Sequence, residues 1–442
     1  MIASQERRLE LKFSPKWDEV HGDDPLELHN YVRSLGMSAR DKFIQEVLFL
    51  QSRSDITQSI ESLAVLGWTE TYYEMAGWQP FDDNVVEYLL PISLRIHGLI
   101  ACCPNLKKLV LSCIVIGGAM GRSVVALQKL EQLHIIFSKV AGSPTPHRPA
   151  SNVLNLRILI ADPLDLSAWT FMSSLSNVRW LSLSASSNGW RLLPPQEIVQ
   201  NWNPFVTVER ASIDGIQPVE WLDLVTLFTS ASLTTSHRLP LTHLKISLTY
   251  GISDDIVDGL LTALEGSALQ CLVLDGTTYG DPELIGDIAR KLPNLTSLTL
   301  AYRDSCRQSK CSDAIWPSPT WEYAQRLSRF SRLAHFGWNL DVSPSVSPAI
   351  MPLFEDGYPN NWWDYTMDEW FEPSEQVTRL LAVHCPPLVE VVFLPDTLNL
   401  HVIIRSPDGS IGMERSHLPR SYYEQHNPSL STSWPLVGPT DS

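Results

Sequence analysis

Three things are scarce in this chain of 442 residues: cysteine, positive charge, and long uncharged apolar stretches. The cysteines number seven, odd and irregularly spaced, which suits a reducing compartment better than a disulfide framework. Lys and Arg total 33 against 49 Asp and Glu, and the net charge of −16 argues against general binding to nucleic acid or to an anionic membrane. No uncharged apolar run exceeds about 13 residues, Leu109 to Gly121 being one, which is too short to span a bilayer. The opening MIASQERRLE is charged and lacks the apolar core of a secretion signal. An intracellular location, cytoplasmic or nuclear, is therefore expected.

Signatures of chemistry are missing too. HExxH and GxSxG are absent, the histidines are scattered, and no cysteine has an obvious histidine partner. Cys306 and Cys311 have four residues between them, but no second pair of matching spacing completes a zinc site. Gly117, Gly118 and Gly121 follow a strand-like run, yet the GxGxxG spacing is wrong and no Lys-Ser/Thr follows. Those glycines are expected to supply a turn with positive φ. The reading is of a non-enzyme with no metal and no cofactor.

What is present is a repeat. LTHLKI (Leu241 to Ile246), LQCLVL (Leu269 to Leu274) and NLTSLTL (Asn294 to Leu300) are short runs with leucine-like residues at relative positions 1, 4 and 6. Between them, Ser253–Ser267 and Asp281–Leu292 have apolar residues at helical spacing behind an acidic or hydroxyl start. Strand and helix alternate at about 26 to 28 residues, inside the leucine-rich-repeat period. The first apolar position is read at Leu106, Leu130, Leu156, Val178, Val208, Leu241, Leu269, Leu295, Leu333 and Leu388, and seven of the nine intervals lie between 22 and 33 residues. Helical connectors are expected at Arg122–Leu130, Asp165–Leu175, Val219–Ser230, Trp321–Ser331 and Ser374–Cys385. One such unit cannot bury its own apolar face, so stacking must stabilise it. The expected fold class is α/β: an irregular leucine-rich-repeat solenoid with parallel strands on its concave face and helices on its convex face.

CCPNLKKLVL, KLPNLTSLTL and HCPPLVEVVFL, across roughly Leu106 to Leu394, resemble the irregular repeats of F-box/leucine-rich-repeat proteins, especially the large fungal set. In that family the repeats capture a substrate while an F-box docks on Skp1 and its cullin. The resemblance thus implies a substrate receptor of an SCF-type ubiquitin ligase. No F-box pattern is visible in residues 1 to 60, where DDPLELHNYV (Asp23 to Val32) is the nearest stretch. The alternative is a repeat scaffold or regulatory protein unconnected to ubiquitin.

The chain divides in expectation as follows. Residues 1–105 form an irregular N-terminal cap, with strands at Arg7–Phe13 and Phe43–Gln51 and helices at Pro25–Leu35 and Ser54–Gly67. Residues 106–394 form the repeat array, 395–426 a C-terminal hairpin cap, and 427–442 a disordered tail. An insertion at 343–373 carries Phe354–Glu372, with seven aromatic and six acidic residues and no Lys or Arg. Its Trp362, Trp363, Tyr365 and Trp370 are candidates for an interaction loop. The x positions of LxxLxL line the strand face and hold six basic and three acidic residues, net +3 in a chain of −16. Lys108, His134, Arg179, Trp180, Arg210, His243 and Lys245 in that row are the candidate partner-binding residues. Such a face suits an acidic or phosphorylated peptide, since Arg chelates carboxylate or phosphate and Trp supplies buried area. The expected partner is thus a protein or peptide, with neither nucleic acid nor membrane.

Overall fold

The computed structural model describes residues 6–11, 25–67, 83–141, 152–160, 166–185, 191–235, 238–303, 314–341, 373–394 and 399–416. The interaction-loop candidates Trp362, Trp363, Tyr365 and Trp370, the Cys306/Cys311 pair and the tail lie outside the described residues. The chain forms two compact units, Met1–Thr207 and Val208–Ser442. Both are mixed α/β with mostly parallel sheets.

In the first unit, β1 (Glu6–Glu10), β2 (Ser62–Leu66) and β3 (Lys108–Ser112) pair in parallel in chain order. A short β4 (Val115–Gly117) follows. The main series continues with β5 (Gln132–Ile136), and β6 (Lys139–Ala141) pairs with β4 beside it. β7 (Asn155–Ile160) and β8 (Trp180–Ala185) complete the first unit's parallel series. Between the strands lie α1 (Pro25–Ser52), α2 (Asp83–Ala101), α3 (Gly118–Ala126) and α4 (Leu166–Ser173).

The second unit repeats the plan with β9 (Arg210–Ile216), β10 (His243–Ile252), β11 (Cys271–Thr277), β12 (Ser297–Tyr302), β13 (His335–Trp338) and β14 (Glu390–Phe393), all parallel and in order. Strands β15 (Asn399–Arg405) and β16 (Ile411–Ser416) then add antiparallel. Its helices are α5 (Trp221–Thr234), α6 (Asp254–Leu264), α7 (Pro282–Lys291), α8 (Thr320–Leu327) and α9 (Pro373–His384).

Local chemistry explains these elements. In α7 the Asp281 carboxylate accepts from Glu283 N, Pro282 takes the first helical position, and Arg290 and Lys291 occupy the last turn against the helix dipole. Its Leu284, Ile285 and Ile288 are buried, as are Val257, Leu260, Leu261 and Leu264 of α6. In the strands, Leu109, Leu111, Leu133, Leu244, Ile246, Leu272, Leu274, Leu298 and Leu300 point into this core. Strand alternation sends the residues between them to the other face.

Several expectations need correction. Phe43–Gln51, read as a strand, is the last part of α1. Its apolar residues fit both periods, and Phe43, Val47 and Leu50 fall on one buried helical face. The helix expected over Ser54–Gly67 ends at Thr57, and Ser62–Leu66 is a strand with Leu63 and Val65 inward. The parallel series therefore begins well before Leu106.

The third repeat is also shifted. Leu156 aligns with Leu133 and Leu181, so it holds the second leucine position and Val153 the first. Asn152, just before Val153, donates to the Gln128 carbonyl as Asn105, just before Leu106, donates to that of Gln58. The apolar run LRILI offers two registers, and these turn amides select one.

The glycine reading fails as well. Gly117 has φ −74°, and positive φ among described glycines falls at Gly215, Gly266, Gly276 and Gly409. Cys113 and Phe137 also have positive φ, and with Gly215 and Gly276 they hold the same place, seven residues past the first apolar position. In these four repeats it marks the bend at the end of the strand, a bulge in the case of Gly215 and Gly276.

Candidate functional site

Among the described residues, the strand face opposite the leucines brings cations, imidazoles and Trp180 together. The structure gathers its candidates into one group in each unit. In the first unit, Lys108, Gln132, Asn155 and Trp180 are successive register partners, and the next row is Val110, His134, Arg157 and Ser182. Adjacent members are therefore about 4.8 Å apart along the sheet. Lys108, His134, Arg157 and Trp180 are half-buried, and Arg179, one residue before β8, is exposed. Arg157 belongs with the candidates: it is one of the six basic residues of that row in either register, and it stands beside His134.

His134 is the electrostatic centre of that group. Its pKa is pushed down to about 4, first by burial and then by the positive charges of Lys108 and Arg157. Burial also lowers the Arg157 guanidinium from its ordinary value. The imidazole is therefore neutral at physiological pH, flanked by two cations.

In the second unit, Arg210, His243, Cys271, Ser297, His335 and Glu390 form one row across six strands, with Lys245 beside Ser212 and Val273 in the next. The His243 ring Nδ1 lies 2.8 Å from the Thr242 hydroxyl, and burial followed by Arg210 pushes its pKa down to about 4. At the far end, His335 Nδ1 is 2.9 Å from Glu390 Oε2. The middle of this face is closed: Cys271, Val273, Ser297 and Thr299 are all buried.

One juxtaposition was invisible in the sequence. Cys271 and His243 are direct register partners, although 28 residues separate them. A cysteine nucleophile needs a thiolate beside an imidazolium. Here burial raises the Cys271 thiol to about 12, against the opposing pull of Arg210 and Lys245, and the histidine sits at about 4. Both partners are neutral, the reverse of that arrangement. Two Ser–His contacts also occur, Ser123 Oγ to His97 Nδ1 at 2.6 Å between α3 and α2, and Ser374 Oγ to His401 Nε2 at 3.0 Å in a fully buried location. Among the described residues no three His, Cys, Asp or Glu side chains gather as a metal-ligand set.

The two depressed histidines set an acid limit on stability. Below about 6.5 the unfolded chain binds protons that the folded sites refuse. Stability is therefore lost as the pH falls from about 6.5 towards the folded value of about 4. Urea midpoints measured against pH should fall over that interval, and His134→Gln or His243→Gln should each flatten the fall.

No family model matches the sequence, and no curated protein matches it. Among solved structures, a crystal structure of a TLR13–ssRNA13 complex is similar at 12% identity with a TM-score of 0.31. The match covers 66% of this chain and 41% of that one, so the chain spans about two-fifths of its length. A likeness this distant carries no argument about what this chain binds. Among the described residues no helix is long and apolar enough to cross a membrane.

Proposed function

We propose that this chain is a non-catalytic protein-recognition module, an irregular leucine-rich-repeat solenoid that binds its partner on the strand face. The observation that carries the reading is the placement of half-buried cations and Trp180 on that face, in a chain whose net charge is −16. A partner with acidic or phosphorylated side chains suits it by charge, and the Trp180 ring offers apolar area beside the cations. The absence of catalysis is part of the proposal: it draws support from the neutral Cys271–His243 pair.

Its finer form is a substrate receptor of an SCF-type ubiquitin ligase. That form rests on the resemblance of the repeats alone. Affinity purification of the full chain from its native cells, with quantitative mass spectrometry, tests both levels. Arg179→Glu with Lys245→Glu, one change on each unit's strand face, should remove the specific partners. The control pair Arg122→Glu with Arg290→Glu, on α3 and α7, should keep them. Recovery of Skp1 and a cullin supports the ligase form, and specific partners without them support a free-standing module. Partners that survive the strand-face changes and are lost with the helix changes refute the proposal.

A further inference from the structure

Charges on the first unit's strand face are handled in two ways. Lys107 has a partner of its own: its Nζ lies 2.8 Å from Glu61 Oε2. One residue on, the Lys108 side chain has no ion pair or hydrogen bond among the described residues, and neither has that of Arg157. Both are half-buried, where a cation loses hydration without an opposite charge to offset the loss. His134 stands between them, beside Arg157 in register and beside Val110 of the strand that carries Lys108. The imidazole Nε2 is buried and has no hydrogen-bond partner among the described residues. Two permanent cations and one imidazole therefore share a patch three strands wide, on the order of 10 Å across. Among the described residues, no carboxylate of the chain pairs with any of the three.

Building on the recognition reading above, we infer that Lys108, His134 and Arg157 are the anchor for one phosphorylated side chain of the partner protein. A phosphomonoester carries about −1.5 to −2 charges at pH 7, which matches two fixed cations and a third group able to take up a proton. A carboxylate would leave one cation unmatched. Arg157 brings a planar fork of donors and Lys108 a point charge on a mobile stem, a pairing suited to tetrahedral oxygens. A nucleic-acid strand needs a track of cations, and the register neighbours Gln132, Asn155 and Ser182 are neutral. The charged groups that act on His134 are Lys108 from β3 and Arg157 from β7. An anion between them favours the imidazolium, so His134 gains proton occupancy as phosphate binds.

The test uses the full chain with isotopically labelled histidine, the His134 resonances being assigned by their loss in His134→Gln. Inorganic phosphate at pH 7 should move them saturably towards the protonated form, and acetate should need at least tenfold higher concentration. Lys108→Gln with Arg157→Gln should weaken the phosphate response at least tenfold. In a second arm, a nonapeptide library with a central phosphoserine should be retained at least tenfold better than the same library with serine, and the double variant should lose that preference. An unmoved His134, an equal response to acetate, no preference for phosphoserine, or tighter binding of oligouridylate than of the phosphopeptides overturns the inference. The cell experiment keeps the two levels apart. Partners lost with Arg179→Glu and Lys245→Glu but kept with the double Gln variant leave recognition standing and remove the anchor.

Discussion

Arg303→Ala is expected to cost about 3–5 kcal/mol of stability, because it strands a buried carboxylate. Arg303 follows β12 and is 2% exposed, with Nη2 at 2.5 Å from Asp275 Oδ1 on β11. The Ser247 hydroxyl on β10 donates to the other carboxylate oxygen at 2.8 Å. The Arg303 amide also donates to the Thr277 carbonyl at 2.8 Å, so Arg303 is tied to β11 twice and Asp275 carries the link on to β10. Without the guanidinium, the Asp275 carboxylate is left buried without its ion partner. Arg303→Met combined with Asp275→Asn should recover a large part of the lost stability, because replacing both members of a buried pair is tolerated better than removing one. Chemical denaturation of the wild type and the two variants checks the order.

The second large effect is at Trp338, the third leucine-like position of its repeat. Its ring centroid is 5.3 Å from those of Trp316 and Tyr323 and 5.6 Å from that of Phe336. All four side chains are buried, and the Tyr323 hydroxyl donates to the Gly280 carbonyl while Trp316 Nε1 reaches Asn339 Oδ1 at 3.2 Å. Trp338→Ala should cost about 3–5 kcal/mol through lost contacts and the cavity left behind. Trp338→Phe should cost much less than the alanine, since Trp338 Nε1 is a buried donor without a partner and the ring face is kept. Calorimetric melting of both variants checks that order.

These two positions show what the sequence makes legible. Trp338 sits where the repeat pattern demands an inward residue, and the leucines of β3, β5, β10, β11 and β12 are likewise inward as the period requires. Helices such as α6 and α7 carry start and stop signals a few residues from their observed ends. Arg303 and Asp275 belong to no periodic pattern, so their union depends on stacking that only the fold supplies.

The misreadings have the same origin. LRILI gave two registers, and a long-range amide from Asn152 decided between them. Phe43–Gln51 satisfied strand and helix periods alike, and packing inside the 28-residue α1 decided that. For the candidate site, the strand-face position of Lys108, His134, Trp180, Arg210, His243 and Lys245 follows from alternation alone. The neutral state of His134 and the meeting of Cys271 with His243 follow from neighbours more than 20 residues away.

The hydroxyls at the outgoing turns lie between these cases. At the turn leaving β5, Ser138 Oγ accepts from Ile114 N at 3.2 Å and donates to the Leu111 carbonyl. Asn339, which no periodic rule singled out, bridges Tyr302 N and the Tyr302 carbonyl at 2.9 and 2.7 Å. A side-chain amide reaches both backbone groups of a neighbouring turn, and a hydroxyl reaches them only over a shorter span.

The most direct test of recognition on the strand face is hydroxyl-radical footprinting of the chain, free and in the complex recovered from its native cells. Oxidation of Val110, His134 and Trp180 should fall on binding, while exposed Leu94 and Leu222 on α2 and α5 react as before. Protection of Leu94 and Leu222 with Val110, His134 and Trp180 unchanged would place the partner on the helices and contradict the account.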